Sequence, residues 1–155
     1  MKKVSVVIPM YYEEQVAQEC YNRLKTVLNN INEIYEYEII FINDGSKDKT
    51  MNILEKIAEN DINVKVISFS RNFGHQAAVT AGLKYVTGDA CVIMDADLQD
   101  PPELIPDMLS YWEKGYDVIY GKRTKRDGEN AFKLLTAKAF YNTLNKLSDV
   151  EIPRD

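Results

Sequence analysis

The chain is expected to be an α/β protein with an open, mostly parallel sheet flanked by helices. Short apolar β-rich runs alternate with longer segments of helical period, and polar residues gather just after each run. The runs are almost continuous in Val, Ile, Phe and Tyr, as happens when both faces of a parallel strand are covered. A length of 155 residues, 45% hydrophobic and 28% charged, suits one globular domain with a core of ordinary size.

The first run, 4–9, is broken by Pro9 and leads into a helix predicted over 13–30, whose apolar face is Val16, Cys20, Leu24, Val27, Leu28 and Ile31. The second run, 37–43, ends in Asn43-Asp44-Gly45-Ser46. That sequence reads as strand end, tight turn and helix N-cap, with Gly45 allowing the turn and Ser46 capping a helix over 47–59. A third strand is expected at 64–68. Ser70-Arg71-Asn72-Phe73-Gly74 then connects to a helix over 76–85, with Gly74 as the turn residue and His75 on the surface near the helix start. The fourth run, 90–94, is followed by a helix over 103–114, for which Pro102 suits the first turn and Pro101 keeps Asp100 extended. A fifth strand is expected at 118–121 and a last amphipathic helix over 130–146.

Net charge is −5, which argues against a general nucleic-acid binder, since such proteins present a basic surface to phosphates. Positive charge is nevertheless concentrated: seven of the 19 Lys and Arg lie between Lys122 and Lys146, against Asp127 and Glu129 alone. Cys20 and Cys91 suggest neither a disulfide framework nor a zinc site and read as reduced, packing residues. The basic N-terminus precedes an apolar run too short for a secretory signal, and no run approaches the roughly 20 apolar residues needed to span a bilayer. A soluble chain in a reducing compartment is expected.

In open parallel sheets ligands bind outside the carboxyl ends of the strands. Asp95 and Asp97 stand at such an end, and alternate residues of an extended chain share a face, so both carboxylates can enter one crevice. A divalent cation would relieve their repulsion; Mg²⁺ favours one or two carboxylates plus substrate phosphates, and Gln99 adds a neutral oxygen. An aspartyl-phosphate phosphatase would carry such a pair on its first strand, which counts against that use. Asp44 is left free by the turn reading and could accept the N–H of a uracil or guanine; Glu13 could bind the same nucleoside or cap its helix. Neither G-x-G-x-x-G nor a P-loop occurs, so a diphosphate would need a metal and a cationic side chain such as Arg123.

Together IPMYYEE, INDGS, SRNFGHQAAVTAGL, MDADLQDPPELIP and YGKR resemble the family 2 inverting glycosyltransferases of GT-A fold, and within them the polyprenyl-phosphate and dolichyl-phosphate sugar transferases. The resemblance runs through essentially the whole chain. It implies that Pro9, Tyr11, Glu13, Ile42 and Asp44 hold the nucleoside, that Asp95 and Ala96 lie at the ribose and diphosphate, that Asp97 and Gln99 bind Mg²⁺ or Mn²⁺, and that Arg123 binds the diphosphate. The implied reaction moves a sugar from a UDP-sugar, less well GDP-mannose, to a polyprenyl phosphate with inversion. Two departures stand out. Tyr12 occupies the place where the family usually has Asn. The family's acceptor-side base lies past the point matching Asp155, so residues 1–155 are expected to be a single nucleotide-sugar-binding domain without the acceptor motif and membrane helices of longer relatives, and to turn over poorly. For the longer enzyme the resemblance implies the cytoplasmic side of a membrane, with the basic segment from Lys122 facing anionic headgroups or simply solvated. Self-association stays open. A receiver-like signalling domain would need an Asp after the third strand, and a sugar nucleotidylyltransferase a Gly-rich loop after the first; neither is present.

Overall fold

The structure, a computed structural model, describes residues 1–97 and 99–121. The chain divides into two compact units, Met1–Gly115 and Tyr116–Asp155. Every secondary-structure element among the described residues belongs to the first. Strands β1 (Lys2–Met10), β2 (Tyr35–Asn43), β3 (Val64–Ser68) and β4 (Ala90–Ile93) form a parallel sheet in the order β3-β2-β1-β4. Helices α1 (Ala17–Asn29), α2 (Thr50–Asn60) and α3 (His75–Leu83) connect them, and a 3-10 turn at Pro102–Leu104 leads into α4 (Ile105–Glu113). Among the described residues no helix is long and apolar enough to cross a membrane.

The strand order explains where the helices lie. From β1 the chain steps outward to β2 and β3, and then returns past β1 to β4. Right-handed crossovers change face when the direction of travel reverses. Accordingly Val4, Val6, Ile8 and Met10 of β1 pack with Leu24 and Leu28 of α1, Leu54 of α2 and Leu109 of α4, whereas Val7, Ile40 and Ile42 meet Ala78 of α3. Each aliphatic side chain buried this way contributes about 1.5–3 kcal/mol. The reversal also creates a switch point between β1 and β4, where the connections from their carboxyl ends diverge and leave a crevice. Pro9 is tolerated within β1 because β4 pairs only with Val4 to Val7, so at Pro9 the strand has a sheet neighbour on one side.

At mid-sheet β2 carries one buried acid. Glu38 is 2% exposed and accepts hydrogen bonds from Ser5 Oγ (2.6 Å), Lys65 Nζ (2.7 Å), Thr87 N–H (2.7 Å), Thr87 Oγ1 (2.9 Å) and Lys3 Nζ (3.2 Å). Burial would push its carboxyl up, but the bonds from Lys65, Ser5 and Thr87 outweigh it and hold the group far below the usual carboxylate range.

Several expectations change. The apolar run 118–121 is not a strand: it has no β pairing, and Val118 and Tyr120 are 81% and 68% exposed. Four apolar residues indicate a wish for burial without naming the strand that would supply it. Ser46 does not cap α2, which starts at Thr50; the Thr50 N–H is taken by Asp48 Oδ1, and Ser46 Oγ instead accepts the Tyr12 N–H at 3.0 Å. Cys20 is buried, its thiol pushed up to about 12 by desolvation, but Cys91 is exposed. The last predicted helix and the basic segment from Lys122 lie outside the described residues.

Candidate functional site

A crevice of about 290 Å³ opens at the carboxyl ends of all four strands, at the switch point. Pro9, Tyr11 and Glu13 reach it from the end of β1, Asp44 from β2, Asn72 and His75 from the β3–α3 connection, and Asp95, Ala96 and Asp97 from β4. After β4 the alternation of burial persists into the turn at Ala96 and Asp97: Met94 and Ala96 are buried in the core, while Asp95 and Asp97 are exposed at the crevice. Asp97 Oδ1 accepts the Gln99 N–H at 3.0 Å, which closes a small turn and fixes the carboxylate.

The β1–α1 connection is tied to the segment after β2. Tyr12 N–H donates to Ser46 Oγ, Glu13 N–H to Thr50 Oγ1 (2.9 Å) and Glu14 N–H to Asp48 Oδ2 (3.3 Å). These bonds delay α1 to Ala17 and set Glu13 on the crevice wall. Tyr12 pays for the geometry with φ of +59°, a left-handed conformation that Asn or Gly adopts far more readily than Tyr. Asn at this place in the resembling family therefore has a backbone explanation.

Asp44 is not free. It is 3% exposed, and its two oxygens accept the Phe73 N–H at 2.7 Å and the Gly74 N–H at 2.9 Å. Beside it Gly45, at φ +69°, lies so close to the Arg71–Asn72 backbone that a Cβ there would sit 2.3 Å from the Arg71 carbonyl carbon. The turn after β2 and the loop after β3 are thus one clamped unit. Each Asp44 oxygen keeps a further lone pair, and Asp44 is among the residues that line the crevice.

Electrostatically the crevice is acidic. Burial first, and then the charges of Asp97, Asp48 and Asp95, push the Glu13 carboxyl above its ordinary range. Among the described residues no group of three or more His, Cys, Asp or Glu side chains stands at metal-holding spacing. Even so, the carboxylates of Glu13, Asp44, Asp95 and Asp97 are hard oxygen donors, and their mutual repulsion fits a hard divalent cation whose shell is completed by ligand oxygens.

Not every sequence-predicted residue reaches the crevice. Ile42 is fully buried against α3 and Val7, and Gln99 is exposed outside the lining. Arg123 lies outside the described residues. Conversely, Asn72 and His75 line the crevice although the sequence reading gave neither a ligand role. His75 is exposed and opens α3, as expected of a residue on the surface near the helix start, and its Nδ1 lies 3.8 Å from Asp95 Oδ1. The rule that found the other residues, inspection of the positions just beyond each strand, would have found it if carried one residue past Gly74.

A family model described as Glycosyl transferase family 2 matches residues 5–152. A protein of Bacillus subtilis (strain 168) called "Uncharacterized glycosyltransferase YkcC" is 52% identical over 151 residues, which is 97% of this chain and 46% of that protein. The "Prophage bactoprenol glucosyl transferase homolog" of Escherichia coli (strain K12) is 43% identical over 152 residues, 97% of this chain and 48% of that one. The chain thus spans about half the length of the curated relatives it matches. Among solved structures, glucosyl-3-phosphoglycerate synthase from Mycobacterium tuberculosis, in complex with Mn²⁺, UDP and phosphoglyceric acid, superposes with a TM-score of 0.67 at 22% identity. That alignment covers 98% of this chain and 53% of the other.

Proposed function

The chain belongs to glycosyl transferase family 2 and has the GT-A fold, and from that premise we propose that its crevice holds a UDP-sugar, with Mg²⁺ or Mn²⁺, for transfer of the sugar to a polyprenyl phosphate with inversion. The observation that carries the donor part is the convergence of Glu13, Asp44, Asp95 and Asp97 on one crevice at the β1–β4 switch point. So acidic a site accepts a dianionic diphosphate only together with a cation. Support for the lipid acceptor comes from the name of the Escherichia coli relative, since bactoprenol is a polyprenol.

In this reading Asp97 holds the metal, with Gln99 assigned beside it on the resemblance alone, and the bound metal would stabilise charge on the departing diphosphate. The chain's own residues do the rest. Tyr11 and Pro9 wall the base side of the crevice, and Asp44 offers its remaining lone pairs to an N–H of the base. Asp95 stands where ribose and diphosphate meet, and Ala96, with its side chain turned into the core, lets the backbone approach them. Arg123 is assigned to the diphosphate on the resemblance alone.

Calorimetric titration with UDP, UDP-glucose, GDP and GDP-mannose, each with and without Mn²⁺, tests the proposal. Mn²⁺-dependent binding of the uridine ligands, lost in Asp97→Ala, is the expected result. Binding of no nucleotide, or equal binding without metal, would overturn it.

A further inference from the structure

His75 and Asp95 face each other across the crevice with hydrogen-bonding capacity to spare. The 3.8 Å from Nδ1 to Oδ1 is too long for a hydrogen bond, and both side chains are more than half exposed. Among the described residues the imidazole has no hydrogen-bond partner, and Asp95 accepts no bond. Flexibility of the loop does not account for the gap. The Gly74 N–H is gripped by Asp44, and the Gly74 carbonyl accepts the Ala77 and Ala78 N–H groups at 3.0 and 3.1 Å, so the residue after it is anchored from both sides.

A single ligand oxygen about 2.8 Å from each atom closes the gap. With the ring proton on Nδ1, the tautomer that faces a carboxylate favourably, that oxygen must both donate and accept. A hydroxyl does so; a carbonyl or a phosphate oxygen cannot donate. The carboxylates at the crevice read donors alone; of the lining side chains that can donate, Tyr11, Asn72 and His75, it is His75 that stands opposite Asp95, so it supplies the acceptor-reading half there. We propose that His75 and Asp95 jointly bind one hydroxyl of the donor, on its ribose or on the transferred sugar, which makes His75 a specificity-determining residue. This rests on the donor reading above.

The test is calorimetry in Mn²⁺ with the wild-type chain, His75→Leu and His75→Gln, using UDP-glucose, UDP, 2′-deoxy-UDP and 3′-deoxy-UDP. Urea unfolding of each variant confirms that the fold is kept, as expected for an exposed side chain. His75→Leu should weaken UDP-glucose roughly tenfold, the size of one hydrogen bond, and His75→Gln, which keeps an N–H donor, should recover part of it. If the hydroxyl is on the ribose, UDP weakens equally and one deoxy analogue is insensitive to the substitution. If it is on the sugar, UDP is unaffected. Binding of UDP-glucose within twofold of wild type in His75→Leu, or equal weakening of UDP and both deoxy analogues, overturns the inference while leaving the donor reading intact. Failure of the wild type to bind UDP-glucose overturns both.

Discussion

Replacing Asp44 by Asn tests the clamp that shapes the crevice. The carboxylate is 3% exposed and its two bonds, 2.7 Å to Phe73 N–H and 2.9 Å to Gly74 N–H, are charge-assisted. Asn keeps one oxygen but turns an NH₂ toward the second amide, so one charge-assisted bond is lost and one buried N–H is left facing a donor. An unsatisfied buried donor costs about 1–3 kcal/mol, and relief of the buried charge offsets part of that, giving a net loss of about 2 kcal/mol for Asn. Asp44→Ala, which strands both amides, should cost about 3 kcal/mol. Urea unfolding measures the loss, and hydrogen exchange at the Phe73 and Gly74 amides locates it, since one should lose protection in Asn and both in Ala. The loop also carries Asn72 and His75, so UDP binding should weaken with it. Unchanged stability to within about 0.5 kcal/mol, with both amides still protected, would refute the clamp and leave Asp44 as a group that acts on the base alone.

Three other perturbations have defined outcomes. The Glu38 carboxyl sits below its ordinary value of 4.5 in the fold, so its contribution is present above that pH and is lost as pH falls through the lower folded value. Glu38→Gln should cost about 2 kcal/mol at neutral pH, because its NH₂ replaces the buried oxygen that accepts from Lys65 and Lys3, and should flatten the stability profile below about pH 4.5 as followed by urea midpoints. Tyr12→Gly should be more stable than Tyr12→Ala by about 1 kcal/mol in thermal or urea unfolding, because both delete the ring edge-on to Tyr11 but Gly alone relieves the φ of +59°. Gly45→Ala should cost at least about 2 kcal/mol and weaken UDP binding, whereas Gly74→Ala, at φ +95° with nothing within 4 Å of an added Cβ, should cost about half as much; equal costs would remove the close approach as an explanation.

The features legible in the sequence and those hidden from it differ in range. Strand and helix placement depends on hydrophobic period, which is local; four of the five expected strands are present, and the residues at their ends converge as strand-end reasoning requires. The bonds that shape the crevice are not local. Asp44 reaches 29 and 30 residues to Phe73 and Gly74, and Tyr12 reaches 34 to Ser46, so each residue looks idle or mis-assigned when read beside its neighbours alone. The consequence is chemical. Counting carboxylates in the sequence overstates what a cation or ligand would meet, because one bond from each of two amides already falls on Asp44, and the Gln99 amide occupies one oxygen of Asp97. Glu13, Asp95 and the second oxygen of Asp97 remain, and Asp95 is itself opposed by His75. The crevice is therefore less a pool of negative charge than a set of acceptors at fixed positions, and substitutions at Asp44 and Asp97, alike in charge, should separate: the first in the stability of the unliganded chain, the second in metal-dependent binding alone.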